Sequence, residues 1–498
     1  MTISRRSFLG SAGAAGATLF APAILKRGRA LAQSRAASAP RLANLPVLDA
    51  TATASLKLTA AEGSTEFSPG AASPTLGFNG SYLGPVLRLR TGTSVEAVVE
   101  NRVREPITVH WHGLLVPGEV DGGPHLPIAP GTTWRPRLDI DQAPATLWYH
   151  SHIHRRTAEQ VYAGLAGGLI VTDGADAERG LPSTMGVDDL FLVIQDKLFD
   201  QSGRLLPYRP AMPDLMMGYF GERVVVNGQM DRVALVPAGL VRLRLLNASN
   251  ARNYVLYFED RRSFHLAGTD QGLLERPVEL DAVRLAPAER VEILVDFSEH
   301  GAARLVSLPH AETVATAGMP MMGMLRDALT GPFAIVEFAV DDQRPAATTR
   351  MPASFHGGFA KAGDPVRQRS FIVNDMMMGA GMRGGRGGEA LFAINGQPFD
   401  MGRIDFEAEV GTTEHWRVVT QMMAHPIHIH GVQFEVLSEN GRTPLLQNSG
   451  LKDTVLVEGE AELLVRFLRS ASAAKPFMFH CHILEHEDNG LMGQFAAT

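Results

Sequence analysis

Four His-x-His pairs set the tightest limit on how this chain can fold: "HWHG" (110–113), "YHSH" (149–152), "HPIHIHG" (425–431) and "HCHILEH" (480–486). On a β-strand, residues i and i+2 project from one face, so each pair offers two imidazoles to one point in space. A single pair is better explained by surface or packed imidazoles than by a metal. Together the four supply His110, His112, His150, His152, His428, His430, His480 and His482. That is too many for one ion and suits a cluster of two or three ions that prefer nitrogen ligands.

The chain holds a single cysteine, Cys481, so it has no internal disulfide. Because strand side chains alternate, His480 and His482 face one way and Cys481 the other. The thiolate therefore belongs to a second site. Cys481, His486 and the remote His425 form a His₂Cys set, the ligand combination of blue copper electron-transfer centres. Zinc accepts the same ligands, but it cannot change oxidation state and would leave the eight other histidines unexplained. The peptide from Cys481 to its two neighbours then joins a mononuclear centre to the cluster.

Period-two alternation in "SVEAVVENRV" (94–103), "LVRLRLLNAS" (240–249) and "AELLVRFLRS" (461–470) reads as half-buried strands. No stretch keeps a helical period long enough for a bundle. Linker-like segments at Thr172 to Gly186 and Asp341 to about Gln368 divide the chain into units at 44–175, 186–340 and 365–498. Each is about the size of one β-sandwich or barrel. "FNGSYLGPVLRL" (78–89), "VVNGQ" (225–229) and "AINGQPFDM" (393–401) suggest a faint internal repeat.

The N-terminal segment Ser4-Arg5-Arg6-Ser7-Phe8-Leu9, with a weakly apolar stretch and Ala30-Leu31-Ala32 after it, resembles a twin-arginine signal. Residues 1–32 are then a signal peptide, and the protein is periplasmic or otherwise exported. Their removal takes five basic and no acidic residues, leaving 41 against 53 and a net charge of −12. That balance argues against a nucleic-acid partner. No apolar run is long enough for a membrane span.

The four motifs, in this order and at these ends of the chain, resemble those of the multicopper oxidases, most densely from about Ala393 to Phe495. The resemblance implies three consecutive cupredoxin-like Greek-key β-barrels, all-β, with type 1 copper in the third. The trinuclear cluster then lies between the first and third, and the second is a spacer. Four copper ions are implied. Type 1 takes His425, Cys481 and His486, and type 2 takes His110 and His428. The type 3 pair takes His112, His150, His152, His430, His480 and His482. His154 shares the face of His150 and His152 and reads as structural, since the ligand count is complete without it. Substrate electrons would enter singly at type 1 copper and pass through Cys481 to the cluster, where O₂ becomes two waters.

By the same resemblance Asp121 and Glu487 are proton-relay acids, and Leu491 is a non-coordinating axial residue that leaves type 1 copper three-coordinate. Nine of the 20 methionines lie between 319 and 382, where Cu(I) binding by thioethers and core filling by an adaptable side chain are equally good readings. The Met-rich segment resembles that of the periplasmic cuprous oxidases, whose substrate copper site would fall on Asp375, Met376 and Met423. Gln421 and Ser370 stand where that site expects Asp and Met. The expected activity is therefore laccase-like, on phenols or aromatic amines at an exposed histidine edge, with Cu(I) oxidation as a second activity and the protein a monomer. The alternatives are a dedicated cuprous oxidase for copper tolerance, a copper-storing protein, and a copper-free envelope scaffold. Scaffolds of this fold act in cell division and have lost copper ligands, whereas this chain keeps every one.

Overall fold

The computed structural model describes residues 40–298, 301–310, 328–341, 343–344, 346–355, 362–374 and 390–498. Residues 1–32, expected to be a signal peptide, Asp375, Met376 and all the methionines between 319 and 382 except Met351 lie outside them.

The described strands form three successive two-sheet β-barrels. In the first, one sheet runs Val47–Asp49, Val86–Arg90, Ala166–Thr172, Ala145–His150, and the other is centred on Ser55–Glu66 and Thr93–Asn101. Alternation is visible in Thr93–Asn101, where Val95, Ala97 and Val99 point into the barrel and Glu96 points out. Neighbouring strands in each sheet are often distant in sequence, as in the third barrel's order Phe406–Ala408, Met492–Ala497, Phe477–Cys481, His425–Ile429, Thr454–Val457. Each barrel has its own apolar core.

The faint repeat has a physical basis. Asn79, Asn227 and Asn395 all adopt positive φ (56°, 50° and 53°), a conformation Asn tolerates better than most residues. In each case the side-chain oxygen accepts from a backbone N–H of a nearby strand: Thr59 at 2.7 Å, Val193 at 2.8 Å and Ile372 at 2.7 Å. The Asn amide donates to the carbonyl two residues before that acceptor's partner, on Lys57, Phe191 and Ser370. One turn recurs in all three barrels.

Leu240–Asn247 departs from its half-buried reading, since every residue of it is buried. Its polar face carries Arg242 and Arg244, which pair with Glu292 and Asp189, and Arg244 also donates to Thr146 of the first barrel at 2.8 Å. The outward face of this strand is an interface between barrels, so charge there is buried and paired rather than solvated.

Candidate metal centre

The centre is built on the pairing of His425–Ile429 with Phe477–Cys481, which sets Ile427 opposite Cys481 and His428 opposite His480. Ile427, Ile429 and Cys481 turn into the core of the third barrel. His428, His430, His480 and His482 turn the other way, toward the first barrel. There, His110 and His150 face each other through a two-way backbone bridge, His110 N–H to His150 O at 2.9 Å and the reverse at 3.1 Å.

The His-x-His pairs do not lie wholly within strands. Ala145–His150, His425–Ile429 and Phe477–Cys481 end before His152, His430 and His482, and His110 stands in an isolated bridge. The same-face relation survives past the last ladder bond. Ring centroids within the four pairs are 5.5, 5.9, 4.9 and 5.4 Å apart.

The ligating atoms of His152, His430 and His480 gather within 4.8 Å of one another, as do those of His110, His112 and His150 and those of His110, His428 and His430. Most rings are held by one nitrogen, leaving the other free. His110 Nδ1 lies 3.0 Å from Asp121 O, His150 Nδ1 2.9 Å from Ser151 O, and His428 Nδ1 2.9 Å from Asp453 O. Nε2 of all three is buried without a hydrogen-bond partner. His112 is tethered the other way round: its Nε2 lies 3.2 Å from Asp453 Oδ1, and its Nδ1 is unpartnered. A set of oriented rings with orphaned nitrogens aimed at shared space fits metal ions of nitrogen preference.

Burial, and then mutual repulsion among the rings, holds His150, His430 and His482 well below the usual imidazole range, and burial holds His428 at about 4 against the pull of Asp453. His112 and His152 are lowered chiefly by burial as well, against the pull of Asp453 and Glu487. Neutral imidazoles carry the free lone pair that a metal requires.

The second grouping is His425, Cys481 and His486, all fully buried. Cys481 Sγ lies 3.3 Å from His425 Nδ1 and 3.7 Å from His486 Nδ1, and the two Nδ1 atoms are 3.4 Å apart. Leu491 stands beside them: it packs in the same core as Cys481, its carbonyl accepts the Cys481 N–H at 3.1 Å, and its N–H reaches His486 O at 2.9 Å.

The exposed histidine edge is corrected by the structure. His486 Nε2 is 3.1 Å from Met216 O, on the short helix Met212–Met217, and Phe392 packs on its ring at 4.2 Å between centroids. The middle barrel's insertion covers the imidazole that the reading left open.

Both acids fall at the cluster. Asp121 Oδ2 is 2.8 Å from His430 Nδ1 and 3.2 Å from His110 Nδ1, while its Oδ1 has no partner. Gly122 follows at φ +85°, where a Cβ would stand 1.7 Å from Val109 O, so the turn that aims Asp121 requires glycine. Glu487, on the helix Leu484–Asp488, lies 3.2 Å from both His152 Nδ1 and His480 Nδ1. Burial alone would raise its pKa, but its contacts with His152 and His480 hold the carboxyl below the usual range. His154 belongs to none of the groupings and packs on Phe399 at 5.4 Å. Met423 is half-buried against the core that holds Cys481. Its expected companions Asp375 and Met376 are outside the described residues.

Sequence reasoning missed Asp453, Thr454, Gln271 and Arg290. The signal for Asp453 was Lys452-Asp453 within the otherwise uncharged "GLKDTVLV" (450–457), a charged pair where a buried strand would exclude one unless it has partners.

This chain belongs to the multicopper oxidase family. Two distinct family models, each for a multicopper oxidase domain, match residues 59–176 and 372–498 respectively. A laccase-like multi-copper oxidase CueO from Ochrobactrum sp., with oxidase activity towards lignin model compounds, is 40% identical over 92% of this chain and 100% of its own, with a TM-score of 0.81. A multicopper oxidase from Campylobacter jejuni described as a metallo-oxidase is 29% identical over 92% of this chain and 95% of its own, TM-score 0.79. Among curated proteins, the cell division protein FtsP of Edwardsiella tarda is 37% identical over 99% of this chain and 98% of its own length. Among the described residues, no helix is long and apolar enough to cross a membrane.

Proposed function

We propose that this protein is an exported copper oxidase that couples four one-electron oxidations to the reduction of O₂ to two waters, laccase-like toward phenols or aromatic amines, with Cu(I) as a second reductant. One observation carries this reading: His425, Cys481 and His486 converge at one buried point, and the cluster histidines present unpartnered nitrogens at another. A protein that only holds partners together has no use for such a set. Copper, when bound, supplies the one-electron redox chemistry. Cys481 is bonded through the backbone to His480 and His482, so the two sites share one short covalent path. Asp121 Oδ1, buried and unpartnered, is the atom that takes up and delivers protons, and Glu487 orients His152 and His480. Because the His486 ring is covered, a reductant gives its electron across the Met212–Met217 helix rather than to the imidazole edge.

A second reading is favoured by the FtsP relatives, which match across nearly the whole chain: a cell-envelope protein of division, independent of copper. The two are separated by O₂ uptake of copper-loaded protein with Cu(I) and with a dimethoxyphenol under identical conditions. The oxidase reading expects uptake with the phenol in the absence of added copper. Much faster turnover of Cu(I) makes copper tolerance the role. Uptake with neither returns the division reading to the front.

A further inference from the structure

We infer that Arg290, from the middle barrel, is a positioning residue for the cluster, acting through Asp453 on His112 and His428. This rests on the oxidase reading above and replaces the idea of the middle barrel as a spacer.

Each guanidinium donor of Arg290 is used. Nη1 and Nη2 grip Asp453 Oδ1 and Oδ2 at 2.7 and 2.5 Å in a two-pronged pair. Nη1 also donates to Ala288 O at 3.0 Å, Nη2 to Asp270 O at 3.0 Å, and Nε to Thr146 O at 3.1 Å. A planar fork with five satisfied donors has one orientation. It ties the middle barrel to Asp453 in the third and to the first-barrel strand Ala145–His150, which ends on a cluster histidine.

Asp453, thus fixed, orients two rings. Its Oδ1 takes the His112 Nε2–H at 3.2 Å, which leaves Nδ1 free, and its backbone oxygen takes the His428 Nδ1–H at 2.9 Å, which leaves Nε2 free. The two rings stack at 3.6 Å between centroids. By the ligand assignment these are one type 3 and one type 2 ligand. Gln271, also from the middle barrel, donates to Asp453 Oδ2 at 2.6 Å and to Gly113 O at 2.8 Å. Gly113 stands at φ +86°, and a Cβ there would lie 2.7 Å from both Arg290 Nη2 and Asp453 Oδ2. The glycine after His112 makes room for this ion pair.

A carboxylate hydrogen-bonded to a ligating imidazole fixes its direction and raises its basicity, and losing such a partner typically costs about 10–100-fold in metal affinity or activity. The test uses full-length, copper-loaded protein. Arg290→Lys and Asp453→Asn are compared with the parent in copper per chain during dialysis against a chelator, in type 2 electron paramagnetic resonance, in the near-ultraviolet absorption of the coupled pair and in the blue absorption. The expected result is selective: cluster copper is held about 10–100-fold more weakly and its signals fade, while the blue absorption of the Cys481 site persists. Unchanged cluster signals and retention overturn the inference, whatever happens to the stability of the copper-free chain. If neither charge variant folds, Gln271→Met leaves the Arg290 fork in place. It should show the same selective loss to a smaller degree, and full retention there overturns the inference equally. A parent chain with no blue absorption and no cluster signal would instead defeat the oxidase reading, before any variant is made.

Discussion

His486 Nε2 lies 3.1 Å from the carbonyl oxygen of Met216, a residue 270 positions earlier in the chain. The middle barrel's short helix therefore closes over the mononuclear site. Met216 and Met217 are buried in the same core as Cys481. Met216→Ala keeps this carbonyl but removes the buried side chain that seats the helix on the core, and should loosen the cover. The expected outcome is a lower KM for bulky phenols with little change for a small reductant, and a loss of about 2–5 kcal/mol in stability. Steady-state kinetics across phenols of graded size, with denaturant unfolding alongside, checks both. Equal changes in KM for large and small reductants would mean that the helix does not limit access.

Asp121 touches two rings of the cluster, His430 and His110. Asp121→Asn keeps the size of the side chain and removes its charge and proton. The reduced protein should react with O₂ about 10²–10⁴-fold more slowly, while substrate reduction of the blue centre keeps its rate. Stopped-flow reoxidation separates these two half-reactions. A variant slowed equally in both would place Asp121 in folding rather than proton delivery.

Arg244 is buried, paired with Asp189 and Glu292, and bonded to Thr146 of the first barrel. Arg244→Ala leaves both carboxylates short of a cation in a site closed to water. A loss of about 3–5 kcal/mol is expected, read as a lower urea midpoint of the copper-free protein. A shift under about 1 kcal/mol would make the pair equivalent to a surface bridge.

Lys197 is buried with its ammonium over the Tyr162 ring and donating to Tyr162 O at 2.9 Å. Burial pushes its pKa down to about 7, against the pull of Asp196 and Glu485. The folded value lies below the unfolded one, near 10.4. Between these values the unfolded chain holds the extra proton, so this group's contribution to stability rises with pH, by up to about 1.4 kcal/mol per unit. Lys197→Met should remove that slope. Urea midpoints taken from pH 6 to pH 9 test it, and parallel profiles for parent and variant would refute the low value.

The strand periodicity and the three-barrel, all-β architecture could be read from the chain, because alternation and Asn-Gly turns are local features. The pairing of imidazoles within each His-x-His could be read as well, since a face relation of i and i+2 needs no knowledge of the tertiary structure, whereas the meeting of the four pairs was implied by the family resemblance. Three other features depend on contacts between distant segments. The burial of both faces of Leu240–Asn247 follows from packing against the first barrel, and no property of "LVRLRLLN" distinguishes a solvated arginine face from a paired one. The cover over His486 comes from a helix of six residues in another barrel. Asp453 and Arg290 lie far apart in sequence and in different barrels, so neither carries a local motif that names the other.

The central claim is that the converging donors hold copper. The most direct measurement is metal content together with visible absorption of the purified chain after copper loading, for the parent and for Cys481→Ser. The account predicts four copper ions per chain and a blue thiolate-to-copper absorption in the parent. The serine variant should lose the blue absorption and one copper while keeping the cluster. A parent that stays colourless and retains no copper after dialysis would contradict the account and leave the division-protein reading in its place.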